Sequence, residues 1–195
     1  MDVPRVVRPP ESGGRRSAVL VLFGDGPDGA PGPDLLFIQR SEGLRRHPGQ
    51  PAFPGGAIED TDDGPVAAAL REAAEETGLD PGGVDVLGTL PELFISRSQF
   101  RVVPVLAWWR EPCAVRPMDI GEVAAVERIG VADLADPRHR IMLRHPSGRT
   151  GPAFRIGSML IWGFTALLVD RLLALGGWER PWDPRNVAEL PGGAA

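Results

Sequence analysis

Three glutamates carry the strongest chemical signal in the chain. Glu72, Glu75 and Glu76 stand at i, i+3 and i+4 within PVAAALREAAEETGL. On a helix that spacing puts all three carboxylates on one face. Like charges so placed repel, and they fall in the last turns, where the helix dipole already presents negative partial charge. Arg71 precedes Glu75 by four residues, which is the weaker orientation of such a pair. A hard divalent cation is the natural counter-charge, because carboxylate oxygens are its ligands. A solvated acidic face is the plain alternative for a bare ExxEE pattern.

The elements around these acids follow from local signals. A Gly-Gly turn at Pro54-Gly55-Gly56 and an acidic turn, Glu59-Asp60-Thr61-Asp62-Asp63, lead into them. Pro65 suits a first helical position, and Gly78 suits a left-handed C-terminal cap, so a helix is expected over 65–77. Short apolar runs predict strands over 17–23, 35–39, 84–90, 100–110, 122–129 and 154–156. Pro104 within the fourth of these points to an edge or a bulge. Residues 131–135 read as a helical turn, 138–151 as a basic loop, and 159–175 as a second long helix, apolar nearly all round. One ring of Trp108-Trp109 is expected in the core, and His139 and His145 are expected as surface or loop hydrogen-bond partners. Strands interrupted and closed by helices predict an α/β fold with a mixed, covered sheet. Residues 1–16 read as a flexible lead-in, 17–178 as one domain and 179–195 as a tail that docks on its tryptophans or frays.

The stretch from Phe53 to Leu79 resembles the Nudix hydrolase signature, Gly-x5-Glu-x7-Arg-Glu-U-x-Glu-Glu-x-Gly-U, where U is bulky and aliphatic. Arg71, Glu72, Glu75, Glu76, Gly78 and Leu79 match its second half, with Ala73 at the first U position. After five intervening residues from Gly56 the chain has Asp62 where the signature has Glu, and eight residues rather than seven then precede Arg71. That stretched loop is similar to the coenzyme A pyrophosphatase branch of the family. The upstream spacing agrees: Arg40-Ser41, Arg45, Gly49 and Phe53-Pro54-Gly55-Gly56 read R-S-x3-R-x3-G-x3-F-P-G-G. Together the two motifs cover about 44 residues, Leu36 to Leu79. Weaker echoes follow in Ser98-Gln99-Phe100 and in Trp162-Gly163-Phe164-Thr165.

The resemblance implies a Nudix α/β/α sandwich with a mixed sheet and a loop–helix–loop signature. It implies a metal-dependent pyrophosphohydrolase of coenzyme A or acyl-coenzyme A. Glu72, Glu75 and Glu76 would hold Mg²⁺ or Mn²⁺. Arg71 would orient a glutamate or pair with an acid of the signature loop. Glu75, Glu76, Arg71 and Glu122 are the catalytic candidates, Glu122 because related enzymes carry a Glu-Val pair there. Substrate contacts are expected from Arg40, Arg45, Arg46, His47, Gly55 and Gly56, since guanidinium forks suit phosphate recognition. The rival readings are hydrolysis of another nucleoside diphosphate derivative, such as NADH or ADP-ribose, and a Nudix domain that binds nucleotide without turnover.

Composition narrows the class. The chain has 195 residues and a formal net charge of −5, which argues against a general nucleic-acid binder. It has no lysine, so any basic side chain on a phosphate is Arg or His. Its single cysteine, Cys113, excludes an internal disulfide framework and a cysteine-based metal cluster. No uninterrupted apolar run reaches the length of roughly 18 residues that suggests a membrane span, and no secretory leader is visible. A cytoplasmic enzyme acting on a small molecule is expected, and the apolar C-terminal region and its tryptophans suggest a homodimer.

Overall fold

The structure is a computed structural model, described here for residues 13–26, 32–44, 47–95 and 99–190. Arg45, Arg46, Ser98 and most of the N-terminal lead-in lie outside the described residues, as do 27–31 and 191–195. In chain order the elements are β1 (Arg15–Asp25), β2 (Pro33–Arg40), β3 (Pro51–Ala52), β4 (Gly55–Ala57), α1 (Gly64–Thr77), a 3-10 turn at Pro81–Gly83, β5 (Val84–Thr89), β6 (Leu93–Ile95), β7 (Phe100–Trp109), β8 (Val123–Gly130), α2 (Val131–Leu134), β9 (Arg140–Arg144), β10 (Thr150–Ile156), β11 (Met159–Ile161), α3 (Gly163–Leu175) and β12 (Val187–Glu189). They fall into two compact units, Met1–Gly24 with Phe53–Met118, and Asp25–Ala52 with Asp119–Ala195.

The first unit is built on β7. One side of β7 runs parallel to β1, from Arg15 opposite Phe100 to Phe23 opposite Trp108. A parallel pair needs a long crossover connection, and α1 lies in it. The other side of β7 takes β5 and β6 antiparallel, while β4 pairs antiparallel with β1. The expectation that Pro104 marks an edge strand is therefore corrected: β7 has partners on both sides. The Pro104 carbonyl accepts from the Leu90 N–H, so residue 104 turns its absent donor toward the junction between β5 and β6, where no ladder partner asks for one. The irregularity sits instead in β5, between Val86 and Gly88. Trp109 is buried, as one ring of the pair was expected to be. Ala68, Ala69 and Ala73 form the buried stripe of α1, and such small side chains let the helix lie close to its neighbours.

In the second unit β2 pairs antiparallel with β8, from Asp34 opposite Gly130 to Arg40 opposite Val123, and β3 lies along β2. Leu35, Leu36, Phe37 and Ile38 are all buried, the continuous apolar run of a strand covered on both faces. A second sheet has the order β11-β10-β9-β12. Two expectations change here. Residues 138–151 are the β9–β10 hairpin and not a basic loop, with Ile141 and Leu143 in a cluster with Ala153 and Leu190. Arg140 concealed the strand pattern, because this arginine is itself buried. Met159–Ile161 are strand, paired back onto Phe154–Ile156, so the helix begins only at Gly163. A continuous apolar run does not by itself distinguish a buried strand from a buried helix. The C-terminal segment places Trp182 over the Arg140 guanidinium and adds β12 parallel to β9.

Candidate active site

Glu72, Glu75 and Glu76 occupy the last turns of α1. The helix ends as its sequence requires: Gly78 has φ +72° and its N–H donates to the Ala74 carbonyl. The Gly55-Gly56 pair forms β4 against β1. A Cβ on Gly55 would collide with the Ala18 carbonyl, and one on Gly56 would displace the Glu72 carboxylate. The expected Gly-Gly turn is thus a strand of closest approach, which lets Glu72 lie against backbone.

Arg71 is the hub of the site. Its Nε and Nη2 donate to the two oxygens of Asp62, each at 3.0 Å. Nη1 is shared between Glu72 at 3.2 Å and Glu75 at 3.0 Å, and Nη2 also reaches the Ala57 carbonyl. One side chain therefore pairs with a signature-loop acid, Asp62, and also bonds to two of the helix glutamates. The structure also clarifies Asp62, whose oxygens are taken up by Arg71 and by the Glu59 N–H at 2.8 Å. These hydrogen bonds hold the Asp62 carboxyl below the usual carboxylate range. Burial pushes Glu72 the other way, above that range, and the nearby Arg71 only partly offsets it. Glu76 is buried and accepts from the Gly55 N–H at 2.9 Å.

The donor chemistry fits a hard divalent cation. Asp62, Glu72 and Glu75 face a single guanidinium, and Glu76 adds a fourth carboxylate bonded to a neutral N–H. Negative charge is in excess and all the side-chain oxygens are hard donors. Among the described residues no three acids converge on one point; Arg71 occupies Glu72 and Glu75 instead.

The remaining candidates lie in the second unit. Arg40 ends β2, and its N–H donates to the Gln50 carbonyl. His47 adopts φ +55° and its Nδ1 lies 2.9 Å from Gln50 Oε1. Glu122 is exposed just before β8, with its N–H on the Asp119 carbonyl. Sequence reasoning gave Ser41 no role of its own, yet it knots this region. Its hydroxyl donates to the Ile120 carbonyl at 2.9 Å and its N–H to the Glu122 carbonyl, while its own carbonyl accepts from Leu44 and Gly49. The only sequence signal was its place beside Arg40 in the motif. His139 and His145 make local hydrogen bonds, to the Asp133 carbonyl and to Ser147, as expected of loop histidines.

Comparison with known proteins agrees with this architecture. The NUDIX domain model matches residues 14–146. The chain is 38% identical over 180 residues to "Uncharacterized Nudix hydrolase NudL" of Cronobacter sakazakii, covering 86% of this chain and 85% of the relative. It is 37% identical over 168 residues to the NudL of Escherichia coli K12, covering 81% of each. Among solved structures, the Nudix hydrolase RenU of M. smegmatis superposes with a TM-score of 0.60 at 22% identity, over 88% of this chain and 91% of that one. The NUDIX domain of Shewanella oneidensis NrtR, complexed with ADP ribose, gives 0.50 at 24% identity, over 63% and 77%. With the signature helix, its glycine strand and its arginine hub in place, the chain belongs to the Nudix hydrolase family, whose members act on pyrophosphate bonds.

Proposed function

We propose that this hydrolase cleaves the pyrophosphate of coenzyme A or an acyl-coenzyme A, releasing 4′-phosphopantetheine (or its acyl form) and adenosine 3′,5′-bisphosphate. The observation that carries the reading is the spacing of Arg40, Ser41, Arg45, Gly49 and Phe53-Pro54-Gly55-Gly56 immediately before the signature. The hydrogen bonds from Arg40 N–H to the Gln50 carbonyl and from the Gln39 side chain to the Gly49 carbonyl support it, because they tie the end of β2 to residues 49 and 50. Coenzyme A carries a 3′-phosphate beside its pyrophosphate, and Arg40, Arg45, Arg46 and His47 supply cationic or hydrogen-bonding groups suited to such oxygens.

Glu72, Glu75 and Glu76 would hold Mg²⁺ or Mn²⁺, which when bound neutralises phosphate charge and acidifies water. Arg71 orients Glu72 and Glu75 through Nη1, and Asp62 fixes Arg71. The Gly55 N–H holds Glu76, and Glu122 is the candidate base. No helix among the described residues is long and apolar enough to cross a membrane. The reading includes a cytoplasmic location, and exposed Leu175, Trp178 and Val187 support a homodimer.

Product analysis tests the substrate. Incubation with coenzyme A and Mg²⁺ or Mn²⁺ is expected to give adenosine 3′,5′-bisphosphate, and none with the metal chelated. Turnover of NADH or ADP-ribose without turnover of coenzyme A would discard the assignment of Arg40 to Gln50. Turnover of none of them would favour a nucleotide-binding Nudix domain.

A further inference from the structure

The end of α1 presents an electrostatic problem. Its last turn holds Glu75 and Glu76 and no basic residue. The final carbonyls of a helix lack intrahelical donors and carry the negative end of its dipole. Acids placed there need donors or cations from elsewhere.

Those donors come from the segment after β7. Glu111 N–H donates to the Gly83 carbonyl at 3.0 Å, Arg116 N–H to the Thr77 carbonyl at 2.9 Å, and Met118 N–H to the Glu76 carbonyl at 3.1 Å. The chain from Glu111 to Met118 thus forms a strap along residues 76–83. Pro117, which has no N–H, stands between the two donors that reach the helix. The Met118 side chain lies over the cap: a Cβ added at Gly78 would stand 3.1 Å from its Sδ. Met118 remains half exposed, so its burial alone does not account for its place. Glu76 is consequently held from both ends, its carboxylate by the Gly55 N–H and its carbonyl by the Met118 N–H.

We infer that the Glu111–Met118 strap is a positioning device for the cation site, with the Met118 backbone N–H fixing Glu76. The inference rests on the proposed metal role of Glu76. Glu72 and Glu75 are steered by a side chain, Arg71, whereas Glu76 is steered by two backbone donors from two different segments. Removing a support behind a metal ligand commonly weakens binding about 10–100-fold. Met118→Pro deletes the donor, and Met118→Ala keeps it while removing the sulfur.

The test is Mn²⁺ titration followed by electron paramagnetic resonance, with thermal unfolding of every variant without metal. Met118→Pro should weaken Mn²⁺ binding about ten-fold at little cost in melting temperature, and Met118→Ala should bind like the wild type. Equal affinity of folded Met118→Pro and wild type overturns the inference. Glu76→Gln separates the layers: if it binds Mn²⁺ like the wild type, the metal role of Glu76 falls, and the inference with it. If Met118→Pro does not fold, hydrogen exchange on the wild type decides. Mn²⁺ should slow exchange of the 116 and 118 amides more than that of the β9–β10 hairpin, since coupling is reciprocal; equal slowing overturns the strap's role.

Discussion

Arg71 and Arg140 each gather carboxylates around one guanidinium, Arg71 in the first unit and Arg140 in the second. Arg140 is 1% exposed, pairs with Asp170 and Glu179, and lies over the rings of Phe154 at 5.4 Å and Trp182 at 4.5 Å. Arg71 has a side chain 25% exposed and meets Asp62, Glu72 and Glu75, with no ring stacked on it among the described residues. Burial sets the difference. An enclosed arginine must have its charge answered and its faces packed, and it then anchors the elements that supply its partners. An open arginine can serve more acids than it neutralises, leaving carboxylates in surplus beside a helix end. Burial also raises the Asp170 carboxyl, with Arg140 pulling it back, whereas the hydrogen bonds from Arg71 lower Asp62. Similar ion-pair chemistry thus makes a structural pin in one place and a candidate cation site in the other.

The contrast breaks if the two arginines respond alike to substitution. Arg140→Met takes away the partner of the partly exposed Asp170, so the cost of about 3–5 kcal/mol for breaking a fully buried pair is an upper bound. Thermal denaturation should show a large fall in melting temperature; a negligible fall would deny Arg140 its anchoring role. Arg71→Gln should do the reverse. Its expected cost is about 10–100-fold in metal affinity or turnover, read by Mn²⁺ titration and a pyrophosphatase assay, with a melting temperature far less affected than that of Arg140→Met.

The smallest effect is a pH dependence. Asp62 has a folded-state pKa lowered by Arg71, so its contribution is present above the unfolded value of about 3.9 and is lost as pH falls through the folded value. Asp62→Asn should therefore be less stable than the wild type at neutral pH, and the gap should close as pH falls below about 4. A gap that stays constant through that range would show that the carboxylate charge is not what holds Arg71.

The α1 region was the most legible because its signals are local. Pro65 and Gly78 bracket a helix through backbone preferences of single residues, and i, i+3, i+4 spacing fixes which acids share a face before any packing is known. The Arg71-Glu72 pair was readable for the same reason, whereas Gly55-Gly56, expected as a turn, is a strand paired with β1. The β9–β10 hairpin was not, because Arg140 reads as solvent-facing until Asp170, thirty residues later, is folded against it. The fate of Asp62 was legible only in part: a signature-loop acid was expected opposite Arg71, but the fold chose Asp62 and spent its oxygens on both Arg71 and the Glu59 N–H.

By itself, then, the sequence determined the signature helix, its caps and the identity of its acidic face, all consequences of backbone geometry over a few residues, while its resemblance to the Nudix signature pointed to the family. Tertiary structure decided that Pro104 sits in a strand paired on both sides, that residues 159–161 turn back as a strand before the helix begins, that Ser41 knots the basic segment to the turn before β8, and that a strap from Glu111 to Met118 closes the end of α1. Apart from the 159–161 strand, which pairs with the neighbouring 154–156, each of these depends on hydrogen-bond partners far apart in the chain, which no local preference specifies.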